Sequence, residues 1–383
     1  MIFGELNYEQ RIIVDNVKKL AKDQIVPIAA EIDREGVFRW DIARLFAEMG
    51  LLQIFLPPSY GGLEEDKTLM FCLCVEEIAK ACASSALLLI IQAVGSFPII
   101  AAGNKSQKER FFPRLAKGDE LVAYLVTEPY AGSDVAGIRA KAQKENGEYI
   151  LNGNKCFSTN GGVASLYTVL AKTDEKELTF FVVERDQEGV SVGKAEDKLG
   201  FRASNTTEVI LEDVVVSGDN RLGQEGEGFI IAMKDFDMSR PSIAALALGI
   251  AEAALDLSFD YACERETFGK TLIGRQAISF MLADAAMQIE AGRSLMIESA
   301  KHHDRGKSNI KLASMAKCFC SDMAMKITTD AVQIFGGYGY MKEYPVERLF
   351  RDAKLTQIFE GTNQIQRLII AREMLKEKRS GAM

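Results

Sequence analysis

The stretch YILNGNKCFST, Tyr149 to Thr159, interrupts a chain whose pattern is otherwise helical. Asn-Gly between two runs of strand-forming residues suits the positive φ angles of a two-residue turn, so this segment predicts a β-hairpin. LYTVLAK, LTFFVVE, VSVGKA and TEVILEDVVV continue the series of short β-branched and aromatic runs to about Gly223. No helical crossover lies between them, which predicts an antiparallel β domain.

Outward from this segment the period changes on both sides. Towards the N-terminus, Asn7 and Gln10 have capping-box spacing before RIIVDNVKKLAKDQIVPIAAEI, whose apolar residues recur at three- and four-residue steps. Further helical runs are expected at 40–51, 66–82, 85–102 and 106–117, with PPSYGG as a loop. Towards the C-terminus, long helical stretches at 226–264, 275–303, 308–335 and 345–377 predict a bundle. Pro241 predicts a kink or a new helix start, and Gly336-Gly337 a stop. The expected fold class is α+β multidomain. It comprises an N-terminal all-α domain (1–118), a middle antiparallel β-barrel or β-sandwich domain (119–225) and a C-terminal four-helix bundle (226–383).

Composition removes several classes of function. The formal charge is 46 − 54 = −8, which gives no electrostatic footprint for nucleic acid. No apolar run is read as approaching the roughly 20 residues of a membrane span. The start MIFGELNYEQR lacks the order of a signal or transit peptide, so a cytoplasmic protein is expected. The seven cysteines form no CxxC pair, and the only histidines, His302 and His303, sit in KHHDRGKS, read as a solvated helix end. Metal is therefore expected to be absent, and so is a Ser-His or Cys-His nucleophile. Carboxylates, hydroxyls and a bound cofactor remain.

A Rossmann turn and a P-loop are both missing: GQEGEGF and GGYGY are glycine-rich in the wrong context. YLVTEPYAGSDVAGIRAKA, Tyr124 to Ala142, runs a strand into a loop bearing the hydroxyls of Thr127 and Ser133, which can face a flat heteroaromatic ring or simply turn a corner. NGNKCFSTNGG repeats that chemistry with Phe157, Ser158 and Thr159. In CERETFGKTLIGRQAISFMLAD, a basic, glycine-bearing loop links two helices, and Arg265 and Thr267 there can meet a pyrophosphate or serve only as connector. QIFEGTNQIQR, Gln357 to Arg367, wedges Glu360 between an aromatic ring and a glycine just before a helix that Thr362 can cap. A glutamate there favours the helix dipole, but an apolar pocket would also make it a base.

VTEPYAGSDVAGI, NGNKCFSTNGG, ERETFGK, QIFGGYGY and IFEGTNQIQR occur in the order and spacing of the acyl-CoA dehydrogenase family, and LGQEGEGF fits its β-to-helix junction. The chain resembles that family from Leu6 to about Leu375. The resemblance implies the acyl-CoA dehydrogenase fold, an FAD cofactor and a homotetramer in which each flavin touches a neighbouring subunit. It places Tyr124, Val126, Thr127, Ser133, Phe157 and Thr159 around the flavin ring, and Arg265, Thr267, Phe268 and Gln276 against the FAD of the adjacent subunit. Gln333, Gly337, Thr362 and Gln364 match further cofactor contacts. Asp237, Arg240 and Gly361 match acyl-CoA contacts, Ser133 serves both ligands, and Glu360 matches the catalytic base.

The implied reaction is α,β-dehydrogenation of an acyl-CoA thioester to the trans-2-enoyl-CoA, with the proton going to Glu360 and hydride to flavin N5. Electrons would pass to an electron-transferring flavoprotein. The thioester oxygen would receive hydrogen bonds from the backbone N–H of the base and a ribityl hydroxyl. Phe157 stands where many relatives carry Trp, and Phe359 where many have Tyr. SSALLLIIQAVGSFPIIAAG, which lines the acyl pocket in the family, holds no Arg or Lys to pair a second carboxylate, so an uncharged short, branched or alicyclic acyl group is expected. Some relatives carry an acid in this run that deprotonates a ring at another carbon; here its middle is Ile90, Ile91 and Gln92, which favours ordinary 1,2-dehydrogenation. The competing readings are an acyl-CoA oxidase or flavin monooxygenase on the same scaffold, and a non-catalytic scaffold protein derived from it.

Overall fold

The computed structural model describes residues 6–381; the leader reading rests partly on residues 1–5, which lie outside that range. Helices α1 (Tyr8–Leu20), α2 (Ala29–Glu35), α3 (Trp40–Glu48), α4 (Lys67–Ala81), α5 (Ala83–Ala102) and α6 (Lys105–Ala116) come first. The Asn7–Gln10 capping box is formed at the start of α1. Strands β1 (Val122–Leu125), β2 (Lys141–Glu145), β3 (Glu148–Thr159), β4 (Leu166–Lys172), β5 (Leu178–Glu184), β6 (Val190–Val192), β7 (Thr206–Ser217) and β8 (Arg221–Leu222) follow in one sheet. The helical part resumes with α7 (Gly228–Glu264), then a small ladder β9 (Glu266–Thr267) and β10 (Lys270–Thr271). Helices α8 (Gln276–Asp304), α9 (Ile310–Phe335), α10 (Val346–Thr356) and α11 (Asn363–Ser380) complete the chain.

The hairpin lies one Asn-Gly earlier than the sequence suggested. Asn146 (φ +50°) and Gly147 (φ +88°) make the turn between β2 and β3, and β3 runs unbroken through Asn152-Gly153. Gly153 sits at a register shift opposite β7, where a Cβ would lie 2.5 Å from that of Ala140. Its glycine answers to close approach, not to a turn. The sheet is also only mostly antiparallel, because β1 pairs with β4 in parallel. The connection between those two strands is the β2–β3 hairpin, so a parallel pair forms without a crossover helix.

Pro241 lies inside α7, which continues through it. The carbonyl that loses a helix donor there is that of Asp237, and Asn309 Nδ2 donates to it at 3.2 Å. The stretch 345–377 divides into α10 and α11, and the break between them holds Glu360. KHHDRGKS is not a free helix end. Asp304 accepts from the N–H groups of Thr68 (2.9 Å) and Leu69 (3.0 Å) at the start of α4, and His303 Nδ1 shares a 2.8 Å hydrogen bond with the Thr68 hydroxyl. Two helices, α5 and α7, are long and apolar enough by length and composition to cross a membrane, contrary to the sequence reading. They serve as core helices: 72% and 67% of their most apolar windows are buried inside the protein. One apolar core runs from α1 and α4 through α5 and α7 to α9, and includes Phe201 and Leu349.

Candidate functional site

Glu360 and Gly361 form a left-handed corner between α10 and α11, with φ of +53° and +87°. A non-glycine residue held at positive φ is strained by about 1–3 kcal/mol and persists only where its surroundings fix it. Gln366 Nε2 donates to the carbonyls of Glu360 (3.1 Å) and Gly361 (3.0 Å), and Lys317 Nζ to that of Gly361 (2.8 Å). Thr362 caps α11, its hydroxyl accepting from the Ile365 N–H. Gly361 at φ +87° is where L side chains are strained, and a Cβ there would lie 2.6 Å from Gln366 Nε2 and displace that clamp. With both carbonyls turned towards α9 and α11, the Glu360 N–H has no hydrogen-bond partner among the described residues.

The Glu360 residue is half-buried at this corner, with its carboxyl turned towards α7. Ser239 Oγ, on wholly buried α7 backbone, donates to Oε2 at 2.8 Å. Phe359 packs on buried Phe201, ring centroids 6.1 Å apart. Burial pushes the Glu360 carboxyl up from the usual carboxylate range, while the Ser239 hydrogen bond and the charges of Arg240 and Lys317 pull it partly back. A carboxylate raised in this way is a stronger proton acceptor than an ordinary one. One helical turn before Ser239, Asp235 is wholly buried, and neither of its oxygens has a hydrogen-bond partner among the described residues. Burial first, then the neighbouring Glu360 charge, hold Asp235 protonated well above its ordinary range. The Tyr124 hydroxyl faces it, close enough for each to bias the other's proton affinity yet not joined by a formed hydrogen bond. Asp237 and Arg240 pair at 3.1 Å on the same helix face, with the Arg240 side chain buried.

The loop after β1 meets the end of β3 nearby. The Cys156 N–H donates to the Thr127 carbonyl at 2.9 Å, which brings Tyr124, Val126 and Thr127 beside Phe157 and Thr159. Phe157 occupies the register shift between Lys155 and Ser158 with φ +53°, and its ring is 68% exposed. An aromatic residue held strained at a β-bulge with its face in solvent has the form of a stacking platform. Ser133 lies on the exposed loop after β1.

Arg265, Thr267, Phe268 and Gln276 lie elsewhere, at the α7–α8 end of the bundle. Arg275 donates to the carbonyls of Thr267 and Phe268, and the Phe268 ring is 97% exposed at φ +51°. The Arg265 guanidinium sits 5.7 Å from the Tyr338 ring centroid, which joins this corner to Gln333 and to Gly336-Gly337, where a Cβ would meet open space. Gln364 is exposed on the first turn of α11. The donors, exposed rings and open glycines at these two places suit a long cofactor with an aromatic ring at one end and a diphosphate along its length. Sequence reasoning passed over Ser239, Asp235, Lys317 and Gln366. Lys317 had a signal, being a lysine in the apolar stripe of Ala313, Cys320 and Ala324 at helical spacing.

Comparison with known proteins gives consistent matches along the whole chain. Sequence models described as acyl-CoA dehydrogenase N-terminal, middle and C-terminal domains match residues 7–119, 123–214 and 226–375. A cyclohexane-1-carbonyl-CoA dehydrogenase of Geobacter metallireducens is 54% identical over 96% of this chain and 98% of its own. The solved butyryl-CoA dehydrogenase of Megasphaera elsdenii superimposes with a TM-score of 0.94 at 40% identity, covering 98% of this chain and 100% of that one. A chain in a structure described as the electron-transferring flavoprotein of Acidaminococcus fermentans matches with the same TM-score, identity and coverage.

Proposed function

The chain belongs to the acyl-CoA dehydrogenase family, whose members are FAD-dependent oxidoreductases, and from that premise we propose that its substrate is the CoA thioester of an uncharged alicyclic acid. The observation that carries the reaction is the Glu360 corner: a half-buried carboxylate raised by desolvation beside a backbone N–H that has no partner among the described residues. In this reading Glu360 takes the α proton, and its N–H receives the thioester oxygen as enolate charge develops there. Ser239 orients the carboxylate, and Phe359 and Phe201 exclude water. Bound FAD supplies the ring that accepts the β hydride.

The likeness to the cyclohexane-1-carbonyl-CoA dehydrogenase supports an alicyclic ring as the acyl group. Helix α5 supports an uncharged one. It carries no Lys or Arg, and its only amide, Gln92, is committed to the Leu115 carbonyl and the Val122 N–H. Tyr124, Val126, Thr127, Ser133, Phe157 and Thr159 then hold the flavin ring. Arg265, Thr267, Phe268 and Gln276 reach the FAD of an adjacent subunit, and Gln333, Gly337, Thr362 and Gln364 hold its remainder. Asp237, Arg240, Ser133 and Gly361 contact acyl-CoA. Exposed Phe268, Phe280, Met287 and Leu368 on the bundle favour a homotetramer. The Acidaminococcus likeness favours an electron-transferring flavoprotein as acceptor. Seven free cysteines suit a reducing cytoplasm.

The test is anaerobic bleaching of the flavin absorbance by butyryl-, isobutyryl-, octanoyl-, cyclohexanecarbonyl- and glutaryl-CoA. Fastest bleaching by the cyclohexane thioester is expected. Fastest bleaching by a straight-chain thioester would keep the dehydrogenase and remove the alicyclic assignment.

A further inference from the structure

Two lysines, Lys155 and Lys317, are wholly buried. Lys155 answers a buried carboxylate, Glu128, at 2.8 Å. Lys317, on α9, has no carboxylate at ion-pair distance among the described residues; its Nζ donates to the Gly361 carbonyl (2.8 Å) and to Asn363 Oδ1 (2.9 Å). Both acceptors belong to the corner that carries Glu360. Taking an ammonium out of water costs several kcal/mol, which an apolar side chain of similar length would not. The corner itself is strained at Glu360, and one carbonyl lost from its clamp frees that φ to relax. Asn363 passes the restraint on, donating to Ser321 Oγ (2.9 Å) and Asp322 Oδ1 (2.7 Å), so the start of α11 is locked against α9.

We infer that Lys317 is a positioning residue for proton abstraction: through the Gly361 carbonyl it holds Glu360 in the left-handed conformation that aims the carboxylate at Ser239 and leaves the Glu360 N–H free. This rests on the reading of Glu360 as the base. The groups facing the ammonium are Glu360 from the corner, Arg240 from α7, and Cys318 and Asp322 from its own helix. Asp322 in turn is paired with Arg367 of α11 at 2.5 Å. Burial dominates and brings Lys317 down to about 7, so its charge and that of Glu360 support one another around neutral pH.

The experiment compares Lys317→Met and Lys317→Arg with wild type as FAD-loaded enzyme, by flavin content, KM, and the rate of substrate bleaching between pH 5.5 and 9. Lys317→Met is expected to keep flavin and a KM within threefold while kcat falls by about 100-fold, the scale of an ångström's misplacement of a reacting group. The rising limb of its pH profile should move to higher pH, since Glu360 loses a cation. Lys317→Arg, which keeps charge and donors, should recover at least part of kcat. If Lys317→Met does not fold, Lys317→Gln replaces it with the same expectation. A folded neutral variant with wild-type kcat and an unmoved pH profile would overturn the positioning role while leaving the dehydrogenase reading intact. Loss of bleaching in wild type itself would instead remove that reading.

Discussion

Ser239 Oγ donates a 2.8 Å hydrogen bond to Glu360 Oε2 from a helix more than a hundred residues earlier in the chain. The bond favours the ionised carboxylate, so it works against the burial that raises Glu360. In Ser239→Ala the opposing effect is lost and Glu360 rises further. As the base proposed above, Glu360 must be ionised to act, so the rising limb of bleaching rate against pH should move to higher pH, with the plateau changed by less than about tenfold. A limb that moves to lower pH, or stays, would mean that Ser239 does not act on the base.

Glu360→Gln separates binding from chemistry. The amide keeps the size of the side chain and can still meet Ser239, and the corner's carbonyls remain clamped by Gln366 and Lys317. Flavin content and acyl-CoA affinity should stay near wild type, while bleaching falls by at least about 1,000-fold, as expected when a proton acceptor is removed. Retained turnover would place the base elsewhere, and buried Asp235 would be the residue to examine.

The class of each long element was legible because its apolar period was clean: helices α4 to α6 and strands β4, β5 and β7 lie within a few residues of their expected ranges. What failed was local choice between equivalent signals. Asn146-Gly147 and Asn152-Gly153 are the same dipeptide, and only the packing of Gly153 on Ala140 tells the turn from the bulge. The parallel β1–β4 pair was hidden because strand order depends on long-range contacts. At the site, Glu360, Gly361 and Thr362 were legible as a short motif. Ser239, Lys317 and Gln366 act on that motif from α7, α9 and the next helical turn, and spacing in sequence does not show which helix faces run together.

Lys155 ties the loop after β1 to the sheet. Its Nζ donates to the carbonyls of Val126 (3.1 Å) and Leu170 (2.7 Å) and to Glu128 (2.8 Å), whose carboxylate also takes the N–H groups of Arg139 and Ala140. Lys155→Met leaves Glu128 charged and buried, and should lower unfolding free energy by about 3–5 kcal/mol. Denaturant unfolding measures it. Adding Glu128→Gln should recover part of the loss, whereas additive losses in the double variant would show that the two residues stabilise the protein independently.

Asp352 offers a test of buried charge away from the chemistry. It is 3% exposed on α10, and its Oδ1 accepts the Phe201 N–H at 2.6 Å. Burial pushes its carboxyl up to about 7. The folded protein therefore holds this proton at a pH where the unfolded chain, with an ordinary aspartate near pH 4, has released it. Its contribution to stability is full below about pH 4 and is lost as pH rises through about 7. Asp352→Asn keeps an oxygen for Phe201 and cannot ionise. Its Tm relative to wild type should therefore rise between pH 5 and pH 8, by roughly 2 °C for a chain of this size. A relative Tm that falls over that interval would mean that Asp352 is ionised in the folded protein and held there by Arg348 and Arg351, the two cations that act against its burial.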